Sequence, residues 1–481
     1  RSGWRLYSLY VFIFNWSGVV VHGCLPALSA MTYAKPVPSE TPKIHLGKPL
    51  QVPTKAWTKV RAADKAAAMS MDPTIRKRAT RFVLLTVLIY SMGFGIIMPV
   101  LPDLIRHLAK VDSAEAARIG AWIGATYGLF QVLLMPTVGN LGDRFGRRPV
   151  FLVSLFAFGL DFLLMGLAPS VIWLFVGRAI AGGLGAVFGP ANAAMADMSS
   201  AEDRAASFGK VGAAFGLGFV FGPVIGGLLG DFGPRVPFFV AAGLAFANGI
   251  YGWLVFPETM PEDKKRPFEW KRANPLGAFA SLGRIKGILP VALIYFLWAM
   301  AGNVYPASWS FFAPIQYGWD SRMVGLSLGL VGVSMAVFQA MVIRRFIAHF
   351  GERKTAYIGM LCGIASYLVV AFVPNGTIIM ILLLVNGFSG LAMPSLNAMM
   401  SMRAPASQQG ELQGLVGSLA ALGMMIAQFT YNYALAAFTE SGAPVRFPGA
   451  PYVIAASIGL LALLALFFLR KKDDGEAFLN G

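Results

Sequence analysis

Long apolar segments alternate with short polar segments along most of this chain. From residue 79 onward, apolar runs of about twenty residues recur about twelve times, and such a run crosses the roughly 30 Å hydrocarbon core of a bilayer as an α-helix. The pattern therefore predicts an all-α membrane protein with 12 transmembrane helices. The predicted spans are 79–101, 118–138, 150–167, 171–195, 206–229, 236–256, 287–309, 322–343, 355–373, 377–400, 411–437 and 451–469.

A polar, proline-rich stretch, PETMPEDKKRPFEWKRANP, separates the sixth predicted span from the seventh. It divides the chain into two groups of six helices. The predicted domains are an N-terminal six-helix half over 79–257, a cytoplasmic linker over 258–286, a C-terminal six-helix half over 287–470 and a cytoplasmic tail over 471–481.

Two similar polar segments indicate an internal repeat. GNLGDRFGRRP, at 139–149, follows the second span, and RRFIAHFGERK, at 344–354, follows the eighth. Both contain Phe-Gly followed by mostly basic residues. Parallel repeats of six helices are typical of one class of membrane transporter.

Lys and Arg are distributed unequally between the two sides of the predicted helices. The side that carries the linker has 24 of them and the opposite side has 6. Because basic residues are retained in cytoplasmic loops, both ends of the twelve-helix core are predicted to be cytoplasmic. The expected location is the inner (plasma) membrane.

Composition agrees with this picture and argues against other classes of protein. Charged residues make up 13% of the chain, against about 25% in soluble proteins. The formal net charge is +17, but no basic face is interleaved with aromatic residues, so no nucleic-acid partner is expected. The two cysteines, Cys24 and Cys362, form neither a disulfide framework nor a metal cluster. No metal or cofactor is expected.

Residues 1–70 do not fit the twelve-span scheme. An apolar run that ends at Val21 and the sequence ALSA at 27–30 imitate a signal peptide, which conflicts with a cytoplasmic start of the core. We expect native translation to begin at Met69 or Met71, so that residues 1–70 form an extension outside the native core. An additional segment and a true signal peptide are the alternatives.

Ionisable residues are rare inside the predicted spans. Each costs about 2.5–3.5 kcal/mol at a helix centre, so each is a candidate functional residue. Asp161 lies mid-way along the third span, in FGLDFLL, and Arg178 lies in the fourth, in VGRAIAGG. At a rise of about 1.5 Å per residue their predicted depths differ by only a few ångströms. Adjacent helices would therefore allow the two side chains to pair.

A buried acid beside a cation has two interpretations. Burial favours the neutral form of a carboxyl group and a nearby cation favours the charged form. Asp161 could therefore load and release a proton if Arg178 moved between conformations. Alternatively, the two residues form a static ion pair that holds two helices together.

Uncharged polar and aromatic residues inside the spans are candidates for a substrate cavity. They could hydrogen-bond a substrate without the cost of desolvating an ion, or they could bond neighbouring helices at about 0.6 kcal/mol each. Further amides lie at Gln428 and Asn432. The cavity candidates are Gln131, Asn192, Asn248, Trp298, Asn303, Gln339, Asn386 and Asn397.

The fifth span carries the glycine-rich sequence GLGFVFGPVIGG over 216–227. Its glycines offer a smooth face to another helix, and its proline removes a backbone donor and permits a bend. The sequence predicts a tightly packed helix around Gly218, Gly222, Pro223, Gly226 and Gly227.

These motifs together resemble the major facilitator superfamily, over about residues 80 to 470. GNLGDRFGRRP resembles its loop between the second and third helices, VGRAIAGG its fourth-helix arginine motif, and GFVFGPVIGG the fifth-helix motif of drug/proton antiporters. MGFGIIMPVLPDLIR, GLAMPSLNAMMS and QGELQG resemble stretches of the tetracycline-resistance efflux group. The resemblance implies the major facilitator fold, with two six-helix halves.

The resemblance also implies roles for individual residues. Asp143 would help to lock a cytoplasmic gate, and Arg147 would pair with Asp197 at the end of the fourth helix. Asp161 and Arg178 match the group's third-helix acid and fourth-helix arginine, which implies proton coupling. Simple anchoring of the membrane topology is the alternative for the charged residues of the gating segment. The other residues of that segment are Gly139, Arg144, Gly146 and Arg148.

Three positions depart from the tetracycline-resistance pattern. Tyr90 stands where that group has an acid in the first helix, Met335 where it has a histidine in the eighth, and Gly363 where it has an acid in the ninth. The substrate is therefore left open by the resemblance.

The sequence thus predicts a monomeric, proton-coupled efflux transporter of small amphipathic compounds, such as a drug or tetracycline-like antibiotic, that works by alternating access in the bilayer. A transporter of an unrelated metabolite, in either direction, is the alternative. A membrane enzyme would need converging polar residues at a membrane face, and the four histidines (His22, His45, His107 and His349) are scattered. A channel would need charged rings or a filter segment, and the sequence shows neither.

Overall fold

The computed structural model describes residues 72–185, 187–199, 203–260, 265–268, 287–404 and 408–469. The predictions for residues 1–70, for the tail at 471–481 and for most of the linker lie outside these ranges. Within them the chain is helical and has no strand. A π turn, Phe338–Val342, and a 3-10 helix, Asn386–Leu391, join α-helices. The α-helices are α1 (Pro73–Ala109), α2 (Ser113–Phe145), α3 (Arg147–Leu167), α4 (Val171–Leu184), α5 (Phe188–Asp197), α6 (Arg204–Gly230), α7 (Val236–Val255), α8 (Ile288–Gly302), α9 (Val304–Tyr317), α10 (Ser321–Val337), α11 (Ile343–Phe372), α12 (Gly376–Val385), α13 (Ala392–Ser401), α14 (Gln409–Ala437) and α15 (Ala450–Phe468).

The described helices form twelve crossings. Eleven are long and apolar enough to cross a membrane, with α4–α5, α8–α9 and α12–α13 each counted as one. The shorter α10 continues through the π turn into the first residues of α11 and makes another crossing. The predicted all-α fold with 12 transmembrane helices is confirmed.

The ends of α1 illustrate how the sequence sets helix limits. At its start, Asp72 accepts hydrogen bonds from the backbone N–H groups of Thr74 and Ile75 at 2.7 and 3.2 Å, which is the N-cap arrangement. These bonds hold the pKa of the Asp72 carboxyl group below its usual value, and the bond from the Thr74 amide has the largest effect. At the other end Lys110 takes a left-handed conformation with φ 55°, which stops the helix.

Three crossings are interrupted where the hydropathy pattern predicts continuous spans. In the seventh crossing Asn303 separates α8 from α9, and its side-chain amide donates to the Ala299 carbonyl at 2.8 Å. In the tenth, Ser334 of α10 accepts from the Gly387 amide at 2.9 Å and donates to the Leu384 carbonyl at 2.6 Å. The Ala299 carbonyl also accepts from the Asn303 backbone amide at 3.1 Å, so the Asn303 side chain adds a second bond there. Ser334 provides partners for two backbone groups at the break in the tenth crossing, where the apolar environment offers none.

The segment 139–149 is not a loop, contrary to the expectation from its charge density. α2 continues to Phe145 and α3 begins at Arg147, so only Gly146 is non-helical. Gly146 has φ 99° and ψ 166°, and Gly351 in the second half has φ 74° and ψ 167°. Both glycines follow phenylalanine in the repeated Phe-Gly kernel. A positive φ is readily adopted only by glycine, which explains one requirement of the repeat.

An arginine two residues beyond each of these glycines makes the same type of contact. Arg148 donates to the Trp253 carbonyl at 2.7 Å, and Arg353 donates to the Leu466 carbonyl at 2.9 Å. These carbonyls lie in the last turns of α7 and α15, which are the last crossings of the two halves. The backbone geometry and this contact support the internal repeat.

Glycines allow α6 to contact α1 at very short range. Gly218, Gly222 and Gly226 recur at every fourth residue and therefore share one face of the helix. A Cβ atom at Gly222 or Gly226 would lie closer than 3.0 Å to the backbone of Met92 or Ile96. This part of the predicted glycine motif is a packing surface.

The other side of α6 contacts α10, which belongs to the second half. A Cβ atom at Gly227 would lie 2.6 Å from the Ser321 carbonyl oxygen, and Pro223 packs against Gly325. The glycine motif therefore joins helices within the first half on one side and joins the two halves on the other.

The two halves contact each other at the side opposite the predicted cytoplasmic face. There the Trp122 indole donates to the Tyr433 hydroxyl at 2.7 Å, and the Ser321 hydroxyl donates to Asp103 at 2.6 Å. Arg118 forms an ion pair with Glu440. These contacts close the outer side of the protein.

The cytoplasmic parts of the same helices are separated. A Cβ atom at Gly139 on α2, Gly216 on α6 or Gly414 on α14 would meet no atom within 4 Å. The structure is therefore in an inward-facing arrangement, with its halves in contact outside and apart inside.

A pair of alanine substitutions on α6 tests the packing role of its glycines. Gly226→Ala and Gly216→Ala both gain about 0.8–1.0 kcal/mol of helix propensity, but only Gly226→Ala places its methyl against backbone. Overpacking costs about 1–3 kcal/mol or more. We expect Gly226→Ala to lower thermal stability and Gly216→Ala to preserve or raise it, as measured by fluorescence-detected size exclusion after heating in detergent. Equal stabilities would contradict the close approach of α1 and α6.

Candidate functional site

Asp161 and Arg178 form an ion pair inside the first half. The Arg178 Nε atom donates to Asp161 Oδ1 at 3.2 Å, and its Nη2 atom donates to Asp161 Oδ2. Asp161 is 0% exposed and Arg178 is 5% exposed. The pairing expected from their depths on neighbouring helices is present. Gly177 makes it possible, because a Cβ atom there would lie 2.7 Å from Asp161 Oδ1.

Two tyrosines surround this ion pair. The guanidinium carbon of Arg178 lies 5.6 Å from the centre of the Tyr127 ring, within the range of a cation–π interaction. The Tyr127 hydroxyl lies 3.1 Å from the Tyr90 hydroxyl and accepts from the Gln131 amide at 3.3 Å. Side chains from α1, α2, α3 and α4 therefore meet around one buried charge pair.

A cavity of about 80 Å³ lies beside Arg178 and between the two halves. Its first-half wall comes from α1, α2 and α4, and its second-half wall comes from α9 and α14. The wall is mostly apolar and aromatic, and Arg178 is the charged residue in it. The lining residues are Phe94, Ile97, Met98, Leu101, Gly120, Ile123, Gly124, Tyr127, Arg178, Pro306, Ala307, Ser310, Phe311, Met424 and Gln428.

None of the eight predicted cavity residues lines this cavity. Asn248 donates to the Thr86 hydroxyl at 2.9 Å and Asn303 bonds its own helix, so both amides are used in helix contacts. Trp298 is buried in the second half against Gly363 and Gly459. Gln131 contacts the cavity only through Tyr127. The remaining candidates lie on other helix segments: Asn192 on α5, Gln339 in the π turn, Asn386 in the 3-10 helix and Asn397 on α13.

Hydropathy gives the depth of a residue but not the face of the helix on which it lies, which explains why these candidates do not line this cavity. Gln428, one of the two further amides, does line the cavity. It accepts from the Asn432 amide at 3.3 Å, and Asn432 also donates to the Ala307 carbonyl at 3.1 Å. The apolar lining residues could not be distinguished in sequence from residues that face lipid.

The second set of charged residues lies at the cytoplasmic ends of α2, α3 and α5. Arg147 is paired with Asp143 at 2.8 Å and with Asp197 at 3.3 Å. The ion pair between Arg147 and Asp197 suggested by the family resemblance is present. Arg144 lies over the Phe145 ring at 5.0 Å, and Gly139 faces open space. A separate cavity of about 170 Å³ adjoins Arg147 at this face.

Glu258 completes this cytoplasmic cluster and was not among the predicted site residues. One oxygen of its carboxylate accepts from the Arg147 amide at 2.8 Å, and the other accepts from the Arg148 amide at 3.1 Å. The first oxygen also accepts from the amides of Thr259 and Met260, both at 2.9 Å. Glu258 therefore caps α3 with an anion at the positive end of the helix dipole.

Gly146 makes room for this cap. A Cβ atom at Gly146 would collide with the Glu258 carboxylate, and the residue also has a positive φ of 99°. Nearby, the Asp143 carbonyl accepts from the Arg266 amide at 3.0 Å. The start of the linker is thus fixed to the junction of α2 and α3. A Pro-Glu pair directly after a hydrophobic span is the only sequence signal that could have indicated this contact.

Comparison with known proteins agrees with these features. A family model described as Major Facilitator Superfamily matches residues 83–428. The chain belongs to the major facilitator superfamily. It is a multi-pass membrane protein with a transporter fold.

Several relatives of this superfamily member are similar over most of their length. Tetracycline resistance protein, class C, of Escherichia coli is 35% identical over 386 residues, which is 80% of this chain and 95% of that protein. Multidrug resistance protein 2 of Bacillus subtilis (strain 168) is 25% identical over 424 residues, which is 85% of this chain and 100% of that protein.

A solved structure shows the same fold. A bacterial homologue of the human lysosomal transporter Spinster, in an inward-facing and occupied conformation, aligns with a TM-score of 0.69 and 16% identity over 84% of this chain and 99% of that one.

The three departures from the tetracycline-resistance pattern have different environments in this superfamily member. Tyr90 joins the hydroxyl contacts beside the ion pair. Gly363 packs against the Trp298 ring, where a Cβ atom would lie 2.7 Å away, so a larger acidic side chain has no room. Met335 packs against the second-half core. Within the described part of the chain, no cluster of His, Cys, Asp or Glu has an arrangement that could hold a metal ion.

Loss of the Glu258 cap should destabilise the cytoplasmic cluster. Glu258→Ala removes the acceptor for the Arg147 and Arg148 amides, and loss of a cap costs about 0.5–2 kcal/mol. We expect lower thermal stability and faster proteolysis near residue 146, with a smaller effect in Glu258→Gln, which keeps an acceptor oxygen. Asp231→Ala, at the C-terminal end of α6, is the control and should be neutral. Wild-type behaviour of Glu258→Ala would contradict the capping role.

Proposed function

We propose that this protein is a proton-coupled exporter of small amphipathic compounds that works by alternating access. The observation that carries the proposal is the buried Asp161–Arg178 ion pair beside a cavity between the two halves. The acid is protonatable, the cation is next to it, and both halves contribute to the cavity wall. A change in charge at this place would therefore act where the halves meet.

The physical cost of the ion pair supports a functional role. Taking two charges out of water carries a penalty of several kcal/mol per ion, which the attraction between them repays only with excellent geometry. If Asp161 served only to hold α3 against α4, apolar side chains would do so at lower cost. A proton that binds Asp161 removes its charge and leaves Arg178 without its partner. That change gives the inward flow of protons a means to alter the arrangement of helices.

The inward-facing arrangement supports the proposed transport cycle. The outer side is closed by contacts between the halves, and the cytoplasmic sides of α2, α6 and α14 are apart. A compound could enter from the cytoplasm or from the inner part of the membrane. The contacts of Asp143, Arg147 and Asp197 would then form one side of the cytoplasmic gate when the halves close inside.

The relatives support a drug or tetracycline-like antibiotic as substrate. Tetracycline resistance proteins of several classes are 29–35% identical to this chain. The substrate class proposed is amphipathic, because the cavity combines aromatic and apolar walls with Arg178, Ser310 and Gln428. The environments of Tyr90, Met335 and Gly363 make tetracycline one compound to test rather than the assumed cargo.

Neutralising Asp161 should remove the coupling. We expect Asp161→Asn, expressed in an efflux-deficient bacterial host, to accumulate tetracycline and a panel of amphipathic dyes as strongly as wild-type cells whose proton gradient has been collapsed. Asp231→Asn, an exposed acid outside the spans, should export like the wild type. Gradient-dependent export that persists in Asp161→Asn would exclude this residue from the mechanism. Equal accumulation with and without wild-type protein would exclude export.

A reversible cross-link between the two halves, midway along α2 and α14, should stop transport. The Cβ position of Gly128 lies 3.3 Å from Met425 Cβ in the other half, close to the roughly 3.5–4.5 Å separation of a disulfide. With Cys24 and Cys362 replaced by alanine, Gly128→Cys with Met425→Cys should form a disulfide that stops export until it is reduced. Each single cysteine variant, which cannot form this disulfide, should permit export under the same oxidising conditions. Full activity of the oxidised Gly128–Met425 pair would contradict alternating access.

A further inference from the structure

The cavity beside Arg178 has the size of a side-chain head group or of one apolar group of a larger compound. Its volume of about 80 Å³ is well below the roughly 300–1,000 Å³ of sites for drug-sized ligands. Arg178 lines the cavity and Asp161 does not. The cavity therefore adjoins the Arg178 guanidinium group and not the Asp161 carboxyl group.

We propose that the Arg178 side chain and the transported compound compete for this cavity. A compound in the cavity keeps Arg178 on Asp161, whereas an empty cavity allows Arg178 to leave when Asp161 takes up a proton. The inference rests on the proposed proton-coupled export. It identifies Arg178 as the residue through which proton and cargo exclude each other.

The geometry provides a path for this movement. Two of the three guanidinium nitrogens, Nε and Nη2, face Asp161. The Tyr127 ring lies 5.6 Å from the guanidinium carbon and also lines the cavity. A guanidinium group that moves from Asp161 into the cavity would therefore pass along an aromatic face, which attracts a desolvated cation.

The charges give the movement its direction. A protonated Asp161 no longer balances the charge of Arg178, and an unpaired buried cation is unfavourable. On the opposite wall the cavity offers the Ser310 hydroxyl and the Gln428 amide oxygen as acceptors, together with room for water. An empty cavity can therefore stabilise the displaced cation, and a cavity filled by an apolar compound cannot.

Few other titratable groups face the pair. Tyr90 comes from α1 and Tyr127 from α2, and both are neutral phenols joined by a hydrogen bond. The residues of α9 and α14 that line the cavity include no charged side chain, and α7, which packs on α3, contains none. Among the described residues, protonation of Asp161 is therefore opposed mainly by Arg178.

The same competition would prevent futile cycles. Cargo entering from the cytoplasm would push Arg178 onto Asp161 and release the proton, and the empty outward-open protein would take up a proton and fill its own cavity with Arg178. In this arrangement the compound need not contact Asp161. Its charge is therefore less constrained than its size and apolar surface.

The test measures protonation of Asp161 when the cavity volume is changed. Purified full-length protein in lipid nanodiscs is titrated by infrared spectroscopy, and the Asp161 carboxyl band is identified by its loss in Asp161→Asn. Ser310→Leu and Met424→Trp fill the cavity, and Met424→Ala enlarges it. Ser457→Leu is the matched control, because Ser457 is exposed on α15 and distant in the chain from the cavity walls.

We expect both filling variants to lower the pH of half-protonation by about one unit, a tenfold loss of proton affinity, because Arg178 is held on Asp161. Met424→Ala should shift it upward, and Ser457→Leu should not shift it. The sign is decisive, since simple dehydration by an added apolar side chain would favour the neutral acid and raise this pH. In an Arg178→Met background the downward shift should disappear.

An unchanged or raised half-protonation pH in both filling variants would overturn the proposal. If filling prevented folding, the upward shift in Met424→Ala, or its absence, would still decide. The measurement requires neither cargo nor transport. Its failure is therefore distinguishable from failure of the proposed function, which would appear as gradient-dependent export by Asp161→Asn.

Discussion

Every backbone N–H and C=O group in the hydrocarbon core must find a partner within the protein, and the architecture follows from this constraint. It makes each crossing helical and requires partners for the backbone groups at each interruption. Ser334 provides such partners at the break in the tenth crossing. At the cytoplasmic face, Glu258 does the same for the first amides of α3. The polar residues of this protein are thus used first for the backbone.

Close approach of helices determines where charge is tolerated. The ion pair requires α3 and α4 to lie near each other, and the missing side chain of Gly177 creates the space for the Asp161 carboxylate. Glycines on α6 similarly bring α1 and α10 to its two faces. In lipid there is little hydrophobic drive between helices, so such short contacts provide much of their association energy. The buried ion pair and the glycine-rich helix contacts therefore both depend on close approach of helices.

Hydropathy was sufficient to predict the twelve crossings. The rarity of charges inside them was sufficient to predict that Asp161 and Arg178 could pair. Motif resemblance placed Arg147 beside Asp197. None of the eight substrate-cavity candidates lines the cavity beside Arg178, because depth in the membrane does not specify the face of a helix. Asn248 and Asn303 bond helices, whereas apolar residues such as Ile123 and Phe311 line the cavity. Glu258 was overlooked because its role depends on the packing of the sixth crossing against the third.

The paired arginine contacts have a mechanical consequence. In each half an arginine at the start of the third crossing, Arg148 or Arg353, donates a hydrogen bond to a carbonyl in the last turn of the sixth. Each contact joins the first and last of four consecutive crossings at their cytoplasmic ends. A half built in this way resists separation of its helices at the cytoplasmic side. The two contacts therefore oppose separation of the third and sixth crossings within each half.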